Sequence, residues 1–286
     1  MKDNGMDMTH PGQLLKQAGL FAGKERGQNF LSDSGTAEMI VEKTGITRAD
    51  QVLEIGPGLG ALTIPVARRT QNITAIEKDF RLVPILKKEL AVHDIHHVKI
   101  LTMDVLKFDF AALPADKKIV VVGNLPYNLS SQILFRLVEA RHCIERAFLM
   151  FQKELSQRIC ASPGGRDFSR LSAVARYAAE IENITDIGPA CFFPKPDIDS
   201  TMLKFNFFQT AAFDPEYEKM LFNVIKAAFS KRRKALKNAM CGGEFDFKKS
   251  RVAKALKTAG IEAERRAETL TTEEFKSLTC ALMETS

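Results

Sequence analysis

Asn124-Leu125-Pro126-Tyr127 follows directly on the apolar run Lys118–Gly123. The side-chain oxygen of Asn124 and the main-chain carbonyl of Leu125 are two hydrogen-bond acceptors side by side. Pro126 holds its φ fixed, and Tyr127 offers a flat ring on which an unpaired base stacks. That set suits the exocyclic amine of adenine. The amine is a poor nucleophile because its lone pair is delocalised into the ring. Two acceptors on its hydrogens draw the nitrogen toward tetrahedral geometry and localise the pair toward a methyl donor. Asn cannot act as a general base, and none is needed. In-line positioning and acceptors matched to the transition state carry such chemistry. As a bare tetrapeptide the run also reads as an ordinary strand-to-helix turn, with Asn as the cap and Pro early in the helix.

A second constellation lies upstream. Glu54-Ile-Gly56-Pro-Gly58-Leu-Gly60 falls between a predicted strand and its helix, where glycines permit a tight turn and close approach of backbone to a ligand. Gly56, Gly58 and Ala61 also satisfy the dinucleotide pattern G-x-G-x-x-A, with Glu77 near the spacing of a ribose-binding acid, so an NAD site stays open on this loop alone. Glu77 ends the second strand and is placed to accept ribose hydroxyls. Asp104 ends the third and is placed either to accept from the adenine amine of a cofactor or to cap a turn. One acid after each strand favours S-adenosylmethionine over NAD.

The elements that must hold these residues alternate. Strand-like stretches fall at 52–55, 73–77, 98–103, 118–123 and 146–151, with helices over 36–44, up to Arg69, over 80–91 and over 130–140. In the first helix Ser34 is the expected cap and Gly45 the stop. The strands are short, β-branched and apolar on both faces, as in a parallel sheet covered by helices on each side. Segments 181–187 and 200–208 read as an antiparallel edge. From Asp214-Pro215, a cap followed by Pro at the first helical position, the pattern is helical to the end. Thr271 and Glu274 stand at capping-box spacing before the last helix. The expected division is a mobile N-terminal tail over 1–23, an α/β domain over 24–208 and a small all-helical domain over 209–286.

The formal charge of +6 suggests a polyanionic partner, and its placement matters more than its size. Lys226 to Lys237 contains six basic residues and no acid. Read as one helix, it buries Phe222, Ile225, Phe229, Leu236 and Met240 and exposes Lys226, Arg233 and Lys237. A solvated helix face is the plain reading; contact with phosphates through Lys226, Arg232, Arg233, Lys234 and Lys237 is the functional one. Lys24 and Arg26 are expected to add to that surface. Five dispersed Cys without a C-x-x-C pair argue against a disulfide framework or a thiolate metal site. No apolar run approaches the roughly 20 residues of a membrane span, and the N-terminus lacks the pattern of a signal peptide. A soluble cytoplasmic chain is expected. His93, His96 and His97 read as a solvated loop, not a metal site.

From about Gly27 to the end the chain resembles the ribosomal RNA adenine dimethyltransferase family of the bacterial KsgA type. The motifs are Gly27-Gln28-Asn29-Phe30-Leu31, Glu54 to Gly60, Glu77, Asp104, Asn124 to Ser131, and Phe192-Phe193-Pro194-Lys195-Pro196 with Ile198-Asp199-Ser200. The resemblance implies a Rossmann-like S-adenosylmethionine-dependent methyltransferase domain with a C-terminal helical RNA-binding domain. It implies that Asn29, Leu31, Gly56, Gly58, Glu77, Asp104 and Asn124 hold the cofactor. It also implies that Asn124, Leu125, Pro126 and Tyr127 form the catalytic turn, with Phe192 packing on the target base opposite Tyr127; a core aromatic is the alternative for Phe192. The substrate implied is two adjacent adenosines in the 3′-terminal hairpin of 16S rRNA, in an immature small subunit, with the protein acting as a monomer without metal. Two departures stand out: Asp197, where a basic residue is common, and Asp167 to Arg170 in place of Tyr-Gly-Arg. Rival readings are a 23S rRNA methyltransferase of the macrolide-resistance type, a non-catalytic assembly factor on the same fold, and an NAD-dependent oxidoreductase.

Overall fold

The computed structural model describes residues 8–22, 28–110, 118–208, 214–231, 233–242 and 247–284. Contacts divide the chain into two units, Met1–Ser156 with Glu180–Phe207, and Gln157–Ala179 with Phe208–Ser286. The segment 157–179, expected within the α/β domain, groups with the C-terminal helices.

The first unit begins with α1 (Pro11–Gln17) where a mobile tail was expected. Seven residues are too few for a helix to persist alone. Here the His10 ring accepts from the Gly12 N–H, and Leu14 and Leu15 bury against Phe30, Leu59, Leu82 and Ile85. After β1 (Phe30–Leu31), α2 (Ser34–Thr44) is capped by Asp33, not Ser34, since the Asp33 carboxylate accepts from the Thr36 N–H at 2.6 Å; Gly45 at φ +63° ends it.

The central elements follow in order: β2 (Gln51–Ile55), α3 (Thr63–Arg69), β3 (Ile73–Glu77), α4 (Val83–Val92), β4 (Lys99–Thr102), β5 (Ile119–Asn124), α5 (Ser130–Glu139), β6 (Ile144–Gln152) and α6 (Lys153–Cys160). Then come α7 (Arg170–Ala178), β7 (Ala179–Ile187), β8 (Phe192–Phe193) and β9 (Ser200–Phe207). Seven strands make one sheet in the order β4-β3-β2-β5-β6-β9-β7. The pairs from β4 through β6 are parallel, and β9 is antiparallel to β6. Strand order reverses beside β2, whose neighbours are β3 and β5, and open α/β sheets bind ligands beyond the carboxyl ends at such a switch point. At that place β2 and β5 approach so closely that a Cβ on Gly123 would lie 2.8 Å from the Ile55 carbonyl oxygen.

In the second unit, α7 packs with α8 (Pro215–Ala228), α9 (Leu236–Ala239), α10 (Lys249–Thr258) and α11 (Thr272–Glu284) around Phe168, Leu221, Val252, Phe275 and Leu278. Asp214 caps α8 through the Glu216 N–H. Thr271 and Glu274 exchange both capping-box bonds. Phe168, in the departure noted above, is a core residue against Phe229. The basic run is not the single helix expected of it. Helix α8 ends at Ala228, a 3-10 turn covers Phe229–Lys231, and α9 begins only at Leu236. The Leu236 N–H bonds the Arg265 carbonyl and the Lys237 N–H that of Ala263, so tertiary acceptors take amides that a continuous helix would use internally.

Candidate active site

A cavity of about 580 Å³ opens over the switch point in the first unit, between the loop after β2 and the turn after β5. Gly56, Gly58 and Gly60 have φ of +68°, +55° and +98°, values that other residues rarely adopt. A Cβ at Gly58 would also press on the Phe30 ring at 3.1 Å. The loop therefore needs glycine for its turn and for its fit under β1.

At the far wall the Asn124 side chain donates from Nδ2 to the Asn29 carbonyl at 3.0 Å. A carbonyl only accepts, so the amide nitrogen must face Asn29 and Oδ1 remains the acceptor. Leu125 is buried and supplies main chain. The Pro126 carbonyl accepts from the Leu129 N–H and the Ser130 hydroxyl, closing the turn into α5. That helix takes Leu129 as its cap residue, with no side-chain bond, so Asn124 does not serve as a helix cap. Tyr127 is half-buried on the lining, its hydroxyl 3.2 Å from that of Ser200.

On the opposite wall Glu77 is nearly buried. Its carboxylate accepts from the Gly58 N–H at 3.1 Å and the Asp79 N–H at 2.7 Å. Burial raises its pKa, against the pull of those two N–H bonds. Asp79 is held by Arg81 and by Gln28.

The model of the family "Ribosomal RNA adenine dimethylase" matches residues 22–283. The chain belongs to the ribosomal RNA adenine dimethylase family. It is 55% identical over 275 residues to a ribosomal RNA small subunit methyltransferase A of Desulforapulum autotrophicum, covering 96% of this chain and 97% of that one. A protein of the same name from Alkaliphilus metalliredigens is 38% identical over 260 residues, 90% of each. Two solved structures share the fold at 24% identity. A dimethyladenosine transferase from Plasmodium falciparum has a TM-score of 0.75 and covers 90% of this chain and 98% of its own. The 23S rRNA methyltransferase ErmE has a TM-score of 0.63, covering 89% and 99%.

In this adenine dimethylase the cavity brings together Asn29, Leu31, Gly56, Gly58, Glu77, Asn124, Leu125, Pro126 and Tyr127. Two expected residues stand elsewhere. Asp104 is not on the lining: one oxygen accepts from the Leu106 N–H at 3.0 Å and the other pairs with the Lys78 ammonium at 2.7 Å. The bond to Lys78 leads the causes that hold its pKa below the usual carboxylate range. The bond to Leu106 caps the turn that follows β4. Phe192 is the core aromatic: 4% exposed, paired in β8 with Leu31 of β1 and packed among Ile40, Ile187 and Met202. It is not on the cavity lining, although its strand partner Leu31 is. His93 is not a solvated side chain either, since it is buried 3.5 Å from Glu89. Among the described residues no group of three His, Cys, Asp or Glu is arranged to hold a metal, and no helix is long and apolar enough to cross a membrane.

Of the basic residues, Lys24, Arg26 and Arg232 lie outside the described residues. Arg233, Lys234 and Lys237 are exposed, Lys226 is half-buried, and Lys237 pairs with Glu264. The cavity also contains a residue of the glycine-loop motif to which no role was assigned. Glu54, 1% exposed on β2, has Ala75 and Val122 as its strand partners. Burial pushes its carboxyl up to about 8, and Oε2 has no hydrogen-bond partner. A lone acid within the apolar run Val52–Ile55 was the available signal.

Proposed function

We propose that the protein places two methyl groups on N6 of each of two adjacent adenosines in the 3′-terminal hairpin of 16S rRNA. It acts in the cytoplasm as a monomer, without a metal, on a partly assembled small subunit. The orientation of Asn124 carries this reading: its amide nitrogen is pinned by Asn29, which leaves the oxygen to accept from an amine. The small-subunit names of the relatives at 55% and 38% identity favour this branch over the 23S one.

The cavity fits S-adenosylmethionine. Its volume falls within the roughly 300–1,000 Å³ of small-molecule sites. Buried acids meet the cofactor's needs: Glu77 for ribose hydroxyls, and Glu54, with one unpartnered oxygen, as a further polar group on the lining. Bound there, the cofactor supplies a methyl group activated by its sulfonium.

The protein's part is positioning. Asn124 Oδ1 and the Leu125 carbonyl accept the two amine hydrogens, and these bonds strengthen as the nitrogen becomes tetrahedral. Pro126, with its carbonyl bonded twice, keeps the turn from relaxing. Tyr127 stacks on the base, its ring steadied through Ser200. Arg233, Lys234 and their neighbours hold RNA phosphates, a contact that weakens with salt.

Incubation with labelled S-adenosylmethionine and under-methylated small subunits tests the proposal. Nucleoside mass spectrometry should then find N6,N6-dimethyladenosine in 16S rRNA. Label confined to 23S rRNA would transfer the protein to the other branch.

A further inference from the structure

The second unit carries a basic face outside the run from Lys226 to Lys237. Helix α10 buries Val252, Ala255 and Leu256. The helical period then sets Lys254 and Lys257 on the opposite side, with Ser250, Ala253 and Thr258 around them, while Lys249, the first residue of the helix, stands at the edge of this face, three and seven residues before Val252 and Leu256. All six are exposed. Over the nine residues from Lys249 to Lys257 the face is about 12 Å long, and its uncharged members are small, so it is smooth as well as positive.

The helix contains no acid, and Lys248 precedes it with a further exposed charge. None of Lys248, Lys249, Lys254 and Lys257 has an ion pair or a hydrogen-bonding side-chain partner among the described residues, whereas Arg251 is tied to the Leu282 carbonyl. The earlier basic run differs. There Lys237 pairs with Glu264 and the Lys231 ammonium donates to the Cys241 carbonyl at 3.1 Å, so part of its charge serves the fold. Lys254 and Lys257 are three residues apart, neighbours on the helix surface, where like charges destabilise a helix. Exposed lysines without ion pairs among the described residues, two of them mutually repelling, suit an external polyanion.

We propose that the Lys249, Lys254 and Lys257 face of α10 is a second contact for the phosphate backbone of the substrate RNA. It rests on the reading of the protein as an rRNA methyltransferase and extends the RNA footprint beyond the Arg233 region.

The test is the full-length triple variant Lys249→Gln, Lys254→Gln, Lys257→Gln, with the triple Lys→Arg variant as its charge-keeping control. Binding to under-methylated small subunits is measured from 50 to 200 mM salt. Three lost phosphate contacts, at roughly 0.7–0.9 each, should lower the slope of log K against log salt by about 2.1–2.7, so affinity falls some 20- to 40-fold less than in wild type over that range. The Arg variant should keep the wild-type slope, and turnover at saturating RNA should be unchanged in both. An unchanged slope in the Gln variant, with wild type active on small subunits, makes α10 a solvated face and overturns the inference. Wild type that fails to methylate small-subunit RNA instead overturns the reading beneath it. Should the Gln variant unfold early in a thermal scan, the single variant Lys254→Gln, expected to lower the slope by roughly 0.7–0.9, decides the matter in the same way.

Discussion

Replacing Glu54 with Gln should stabilise the protein, and more so as pH rises. Glu54 lies between Ala75 and Val122 in the sheet, whose side chains are apolar; burial raises its pKa, outweighing the Thr63 side chain, which pulls it down, and the nearby Glu77 adds to the rise. Burial holds the folded-state pKa at about 8 against an ordinary value of 4.5. A carboxyl raised in this way holds its proton in the folded chain and loses it in the unfolded one. Its contribution to stability therefore falls as pH climbs from 4.5 to about 8 and is level above that. At roughly 1.36 kcal/mol per pH unit, the decline between pH 5 and pH 8 amounts to about 4 kcal/mol, a ceiling for a site open to a cavity. Gln has nearly the same shape and no charge to bury. The assay is urea unfolding of both proteins, without cofactor, at pH 5, 7 and 9. The midpoints should nearly coincide at pH 5 and separate in favour of Gln at pH 7 and 9. A gap that does not change with pH, or a wild type that gains on the variant in alkali, would refute the reasoning.

Two further outcomes follow from the cavity. Asn124→Ala removes an acceptor that strengthens in the transition state, so turnover should fall by about 10²–10³, far more than cofactor affinity read by calorimetry; equal losses in both would contradict the acceptor role. Gly58→Ala places a Cβ at φ +55° and 3.1 Å from the Phe30 ring, a strain of roughly 1–2 kcal/mol. Cofactor binding should weaken about tenfold or more as the loop shifts, and an unchanged dissociation constant would show that the loop yields freely.

Much of the sheet could be read from residues alone, because Val120, Val121 and Val122 are buried on both faces and such runs have few other uses. The glycine loop, Glu77 and the turn at Asn124 were legible for a similar reason: backbone geometry at strand ends narrows what those residue types can do. What stayed hidden depends on partners distant in sequence. Nothing local marks Asp104 as a mate for Lys78, or Phe192 as a partner of Leu31. Helix α1 is too short to declare itself and exists through the burial of Leu14 and Leu15. The run Lys226–Lys237 has helical composition, yet carbonyls at 263 and 265 interrupt it. In each case a long-range contact outweighed local preference.

The interleaving of the two units governs how the protein can be dissected. Because 157–179 leaves the sheet-bearing unit and joins helices encoded after 207, the polypeptide passes between units three times. Truncation at 208 does not liberate a self-sufficient half. It strands α7 with Phe168 and Tyr177 deprived of the apolar surroundings that the last 78 residues, 209–286, help to provide. The same threading delays completion of the helical unit during synthesis until α11 has emerged, although one of its helices was made long before.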